Sequence, residues 1–186
     1  MLVLLPLVVG SLSPLFHLRP PALRAMLTTG TVPAPGTSDP EGRGVKLAAV
    51  QMRACSDKTT NLATCRRLVL EAAAARARLV CLPECCLFIG GGLFSDPAAK
   101  VREPADGPSM MAFRELAREA GVWLSVGSFP EEAPGLPDKG FNLQALISPD
   151  GAVVGKYRKV HLFDSPYSGL FESNSTGASS EPPSHL

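Results

Sequence analysis

The sequence has almost no excess of charge. Lys and Arg total 18 against 17 for Asp and Glu, so there is no basic field to hold nucleic acid or an anionic membrane surface. It has no apolar run long enough for a transmembrane helix, and no membrane partner is expected. Its five cysteines, Cys55, Cys65, Cys81, Cys85 and Cys86, are odd in number, and two are adjacent. That is no disulfide framework; it fits buried thiols in a reducing compartment. No CxxC pair stands near a second pair or a histidine, so no zinc or other metal site is indicated. A triple glycine, Gly90-Gly91-Gly92, could cradle phosphate, but no GK[ST] follows and the strand-to-helix frame of a P-loop is missing. It reads as a mobile loop near a site.

The first 38 residues contain no acidic side chain. Seven prolines fall within residues 1–44. The apolar run at 2–9 is broken by Pro6 and has no basic residue before it, which is not the form of a secretory signal. The composition leans towards a mitochondrial transit segment or a disordered leader, with Met26 as a second possible start. Residues 1–44 are therefore set apart as a leader, and 33–40 read as linker. The expected location is cytoplasmic, mitochondrial or both.

What is present from residue 45 onward is an alternation of elements. Residues 46–52 read as a first strand. A polar break, Ser56-Asp57-Lys58-Thr59-Thr60, precedes a helix whose inward stripe is Leu62, Cys65, Val69, Ala72 and Ala73. Thr59 or Thr60 is its expected cap. Residues 79–82 form a short buried strand. Pro108 opens a second helix and Gly121 closes it. Its stripe is Met110, Phe113, Leu116, Ala117 and Ala120, and the Met110-Met111 pair is read as core. Residues 122–129 read as a buried strand. Residues 141–147 and 152–157 form a hairpin across the turn Ser148-Pro149-Asp150-Gly151. The order is β-α-β-α-β-β-β. Crossovers imply parallel pairing early, and the hairpin adds antiparallel strands late.

Two places carry chemistry. Leu79-Val80-Cys81-Leu82-Pro83-Glu84 ends a buried strand on a lone carboxylate. Ligands gather beyond the carboxyl ends of strands in such sheets. Glu84 is a candidate general base there, or simply a strand-end carboxylate in water. Lys156-Tyr157-Arg158-Lys159-Val160-His161-Leu162-Phe163-Asp164 follows the hairpin. It is a solvated cationic patch, or a site in which a lysine steadies an oxyanion.

These two motifs in this order, with Ala48-Ala49-Val50-Gln51-Met52 and Phe141-Asn142, resemble the nitrilase superfamily of carbon–nitrogen hydrolases. The resemblance runs over 45–176. It is nearest to the Nit branch, a reading that Glu172-Ser173-Asn174-Ser175-Thr176 supports. It implies an α/β domain, the N-terminal portion of an αββα sandwich with a mixed sheet, and a homo-oligomer for the complete family protein. It implies amide hydrolysis through a Cys-Glu-Lys thioester mechanism without cofactor, on a small-molecule amide of the deaminated-glutathione type. Glu84 matches the family's base, Lys159 its oxyanion-stabilising lysine, and Glu172 an auxiliary carboxylate. Arg158 and His161 match supporting positions.

The pattern departs from the family in one respect that matters for activity. The nucleophilic cysteine should follow the lysine motif, and none of the 27 residues after Lys159 is cysteine. The loop Ser165-Pro166-Tyr167-Ser168-Gly169-Leu170 is also short. On a strand continuing past Glu84, Cys86 would share its face and Cys85 would not. Residues 177–186 read as a disordered tail. Three expectations follow. The first is an amidase of which this chain is the N-terminal portion, lacking its nucleophile and inactive alone. The second is a non-catalytic chain that binds full-length subunits. The third is a small α/β binding module using Gly90-Gly91-Gly92.

Overall fold

The computed structural model describes residues 26–32, 45–89, 101–136, 138–174, 176–180 and 184–185. The triple glycine, the linker reading of 33–40 and all of the 1–44 leader except 26–32 lie outside them.

Sequence periodicity and turn chemistry account for the core elements. Strand β2, Val45–Gln51, leads through a polar break into helix α1, Lys58–Ala74. The cap of α1 is Asp57, ahead of the expected threonines. Its carboxylate accepts from the Thr59 N–H at 3.0 Å and the Thr60 hydroxyl at 2.6 Å. One carboxylate answers two donors of the first turn, one with each oxygen. Strand β3, Leu79–Cys81, follows. Helix α2, Pro108–Ala120, begins at its proline and stops at Gly121, whose φ is 63°. That left-handed value favours glycine. Strands β4, Trp123–Glu132, β5, Gly140–Ile147, and β6, Val153–Arg158, complete the main unit.

β2, β3 and β4 are parallel, and β4, β5 and β6 are antiparallel. The mixed sheet expected from sequence is the one observed. Both helices pack on one face, and their buried side chains merge with those of the sheet into one core. Cys65, Leu68, Val69 and Ala72 of α1 and Met110, Phe113, Leu116 and Ala117 of α2 meet Val80, Leu124, Val126, Leu143 and Ile147. Met111 is exposed, because helical spacing places 110, 113 and 117 inward and 111 outward. The described residues thus supply one helical layer and one sheet layer of the four that the resemblance implies.

Two segments set outside the fold by composition pair with it instead. Met26–Val32, within the leader, forms β1 antiparallel to β2. Ser184–His185, within the tail, forms β9 against β6, and the Gly177 N–H donates to the Gly140 carbonyl at 2.8 Å. The full order is β1-β2-β3-β4-β5-β6-β9. Edge strands β2 and β6 present unpaired N–H and C=O groups, and a passing segment satisfies them whatever its composition.

Candidate active site

The carboxyl ends of β3, β4 and β6 and the amino end of β5 lie at the same end of the sheet, as the pairing directions require. β3 ends at Cys81, and the chain turns through residues 84–87. Three contacts hold this turn. The Leu82 N–H donates to the Ser125 carbonyl at 2.9 Å, and the Cys85 N–H to Ser128 Oγ at 2.9 Å. Buried Asn61 of α1 donates to the Leu87 carbonyl at 2.8 Å. β4 makes room for the turn by a bulge between Val126 and Phe129. A Cβ on Gly127 of that bulge would lie 1.7 Å from the Pro83 carbonyl oxygen, so only glycine fits there.

Glu84 emerges from this turn beside Lys159, which follows β6. Lys159 Nζ lies 2.9 Å from Glu84 Oε1 and 2.8 Å from Glu172 Oε2. Glu172 sits in a single 3-10 turn after the hairpin of β7, Asp164–Ser165, and β8, Leu170–Phe171. The short loop of this hairpin returns the chain to the site. The Glu172 N–H donates to the Phe163 carbonyl at 3.1 Å, and the Phe163 N–H donates back to Glu172 Oε2 at 2.8 Å. Asn142 of β5 completes the group. Its Nδ2 donates to Glu84 Oε1 and to Glu172 Oε1, each at 3.1 Å. The Lys159 N–H donates to the Asn142 carbonyl at 3.0 Å.

The two carboxylates differ in exposure. The Glu84 side chain is 59% exposed and that of Glu172 only 4%. Glu84 thus faces an open cleft of about 380 Å³ lined also by Ser128, Gln144, Tyr157 and His161. Partial burial works against the charge on Lys159, but hydrogen bonds to Glu172 and Glu84 outweigh it and raise its pKa above the ordinary lysine value. The group is therefore a cation held between two carboxylates, with one carboxylate open to a ligand. That arrangement can accept a proton at Glu84 and offset negative charge developing beside Lys159.

Sequence reasoning named Glu84, Lys159 and Glu172 as candidates, and all three meet. Arg158 does not join them. Strand alternation turns it to the helix face, where it pairs with buried Glu131 at 2.6 and 2.8 Å and stacks over Phe141. His161 lines the cleft rim. The expected geometry of the cysteines is reversed. The strand does not continue past Glu84; Cys85 takes a φ of 55°, and Cys86 is driven into the core at 0% exposure. Cys85 is the thiol nearest the charged group. Burial and then the Glu84 carboxylate push it up to about 11. Cys85 therefore supplies no ready thiolate, and Cys86 is sealed in the core away from the cleft. No cysteine lines the cleft among the described residues, and no set of three His, Cys, Asp or Glu there is placed to hold a metal ion. Sequence reading missed Asn142, Gly127 and Ser128 as parts of the site. A polar residue opening an alternating strand was the available signal for Asn142.

The sequence pattern of the carbon–nitrogen hydrolases matches residues 46–182. The deaminated glutathione amidase of Homo sapiens is 40% identical over 146 residues, covering 74% of this chain and 43% of that protein. Omega-amidase NIT2 of Homo sapiens is 38% identical over 120 residues, covering 64% of this chain and 41% of that protein. Among solved structures, the C. elegans NitFhit protein superposes with a TM-score of 0.65 at 31% identity, covering 73% of this chain and 33% of that one. The chain spans about two fifths of the length of the curated relatives it matches.

Proposed function

The chain belongs to the carbon–nitrogen hydrolase family, and on that premise we propose that its site serves hydrolysis of an amide bond in a small molecule of the deaminated-glutathione type. The observation that carries this reading is Lys159 shared between open Glu84 and buried Glu172. Glu84 takes the proton of an attacking thiol. The sulfur bonds to the amide carbon, and Lys159 offsets the charge on the carbonyl oxygen. Collapse breaks the carbon–nitrogen bond, and Glu84 returns the proton to the departing amine. Water, deprotonated by Glu84, then cleaves the thioester to a carboxylate and restores the thiol. Glu172 holds the ammonium in place. On this reading the complete family protein is a homo-oligomer.

No thiol lines the cleft among the described residues, and on this reading the 186-residue chain is inactive by itself. Loss of a nucleophile that works as a unit with its partners costs on the order of a million-fold in rate. The test compares this chain with a version extended by the segment that follows the lysine motif in its relatives, on a deaminated-glutathione amide. Turnover is expected only from the extended version. Turnover by the present chain that Cys85→Ser or Cys86→Ser abolishes overturns the assignment.

A second reading rests on the helix-free face of the sheet, where Trp123 and Leu146 are 38% and 37% exposed. There the chain acts without catalysis, by binding full-length subunits. Mixing it with a full-length relative and measuring the mass of the assembly separates the two: no change in mass rejects this second role.

A further inference from the structure

Four side chains at the site close into a ring. Lys159 bonds Glu84 and Glu172, and Asn142 bonds the same two carboxylates from the other side. Both partners of the Asn142 side chain are carboxylate oxygens, which only accept. The amide orientation is therefore forced: its NH₂ gives one hydrogen to each acid. We propose that Asn142 is a positioning residue that holds the Glu84 carboxylate on Lys159 and over the cleft. The proposal rests on the reading of Glu84 and Lys159 as base and cation.

The physical need is specific to Glu84. Glu172 is buried and has a second anchor in the Phe163 N–H. Glu84 has neither advantage. It is a long, half-exposed side chain on a turn, and restricting its rotamers costs entropy. Its partners are the Lys159 ammonium and the Asn142 amide. A surface ion pair alone fixes geometry weakly. Asn142 sits on rigid ground by contrast. β5 is paired on both sides, opposite Pro130 of β4 and bonded through its carbonyl to the Lys159 N–H. The same residue thus sets the backbone height of the cation and the position of its acid partner.

The residue type fits this task. An ammonium or guanidinium at position 142 would compete with Lys159 for both acids. A carboxylate would repel them. Gln would carry the two donors one methylene too far from a strand already in register. Asn supplies two hydrogens, no charge and few rotamers.

The test follows the titration of Lys159 in the present chain, by NMR of ε-labelled lysine. Glu84→Gln is the reference, and its removal of the acid is expected to lower the Lys159 midpoint by about 0.5 pH units, as loss of a half-exposed opposite charge does. Asn142→Leu is expected to lower it by a similar amount, and the double variant by no more than either. An unmoved midpoint in Asn142→Leu, or additive shifts in the double variant, overturns the proposal. An unmoved midpoint in Glu84→Gln instead overturns the pairing of base and cation beneath it. If Asn142→Leu does not fold, as judged by amide dispersion, Asn142→Ala carries the same comparison. A residue that merely packs would change the melting temperature and leave the midpoint of Lys159 where it was.

Discussion

The two faces of the sheet obey different rules. On the helix face, Val80, Leu124, Val126 and Leu143 are all 0% exposed, and two amphipathic helices seal them. On the other face, Ser125, Asn142 and Gln144 alternate with them in the same strands, Tyr157 and Lys159 lie on and just after β6, and all five stay within reach of solvent. Apolar Trp123 and Leu146 share that face, partly exposed. The chemistry sits wholly on the second face. A strand of period two lets one face be optimised for packing while the other carries polar groups, with no conflict between them.

That contrast can be broken most strongly from the helix face. Phe113→Ala should cost about 3–5 kcal/mol, the range for emptying a large aromatic from a packed core. Urea unfolding measures it, and a loss under about 1 kcal/mol would mean the helix layer is not the core. Arg158→Ala is next. It leaves Glu131, 2% exposed, without its bidentate partner, and an uncompensated buried charge costs about 3 kcal/mol. The Lys159 titration should be little changed, since Arg158 faces the other side.

Gly127→Ala tests the junction between the faces. The added Cβ meets Pro83 backbone, so the turn carrying Glu84 must move. Roughly 2–3 kcal/mol of overpacking is expected, together with a lowered Lys159 midpoint as its acid partner shifts away. Trp123→Ala, on the open face, should cost about 1 kcal/mol or less and should reduce self-association measured by light scattering.

The smallest effect is a pH dependence. The folded pKa of Lys159 lies above its ordinary 10.5, so its ion pairs contribute fully below that value. Their contribution is lost as pH rises through the folded value. Stability measured across that alkaline window should fall more steeply in the parent chain than in Lys159→Met.

Much of this was readable beforehand because the relevant physics is local. The core order β-α-β-α-β-β-β follows from hydrophobic period, from Pro108 and Gly121 at the ends of α2, and from the turn at Gly151. Glu84 and Lys159 stood out because each ends a strand. Boundaries and edges were less legible. Composition gave no hint that Met26–Val32 or Ser184–His185 would pair, because an edge strand accepts backbone and not side chains.

By itself the sequence determined which segments of the core, from β2 to β6, are helix and which are strand, and which residue types are available for chemistry. Tertiary structure alone decided which of them meet. Glu84 is separated from Lys159 by 75 positions and from Asn142 by 58, and no periodicity spans such distances. The facing of Cys85 and Cys86 was decided there too. A left-handed residue in the turn and a glycine bulge in the neighbouring strand break the alternation on which any reading along the chain depends.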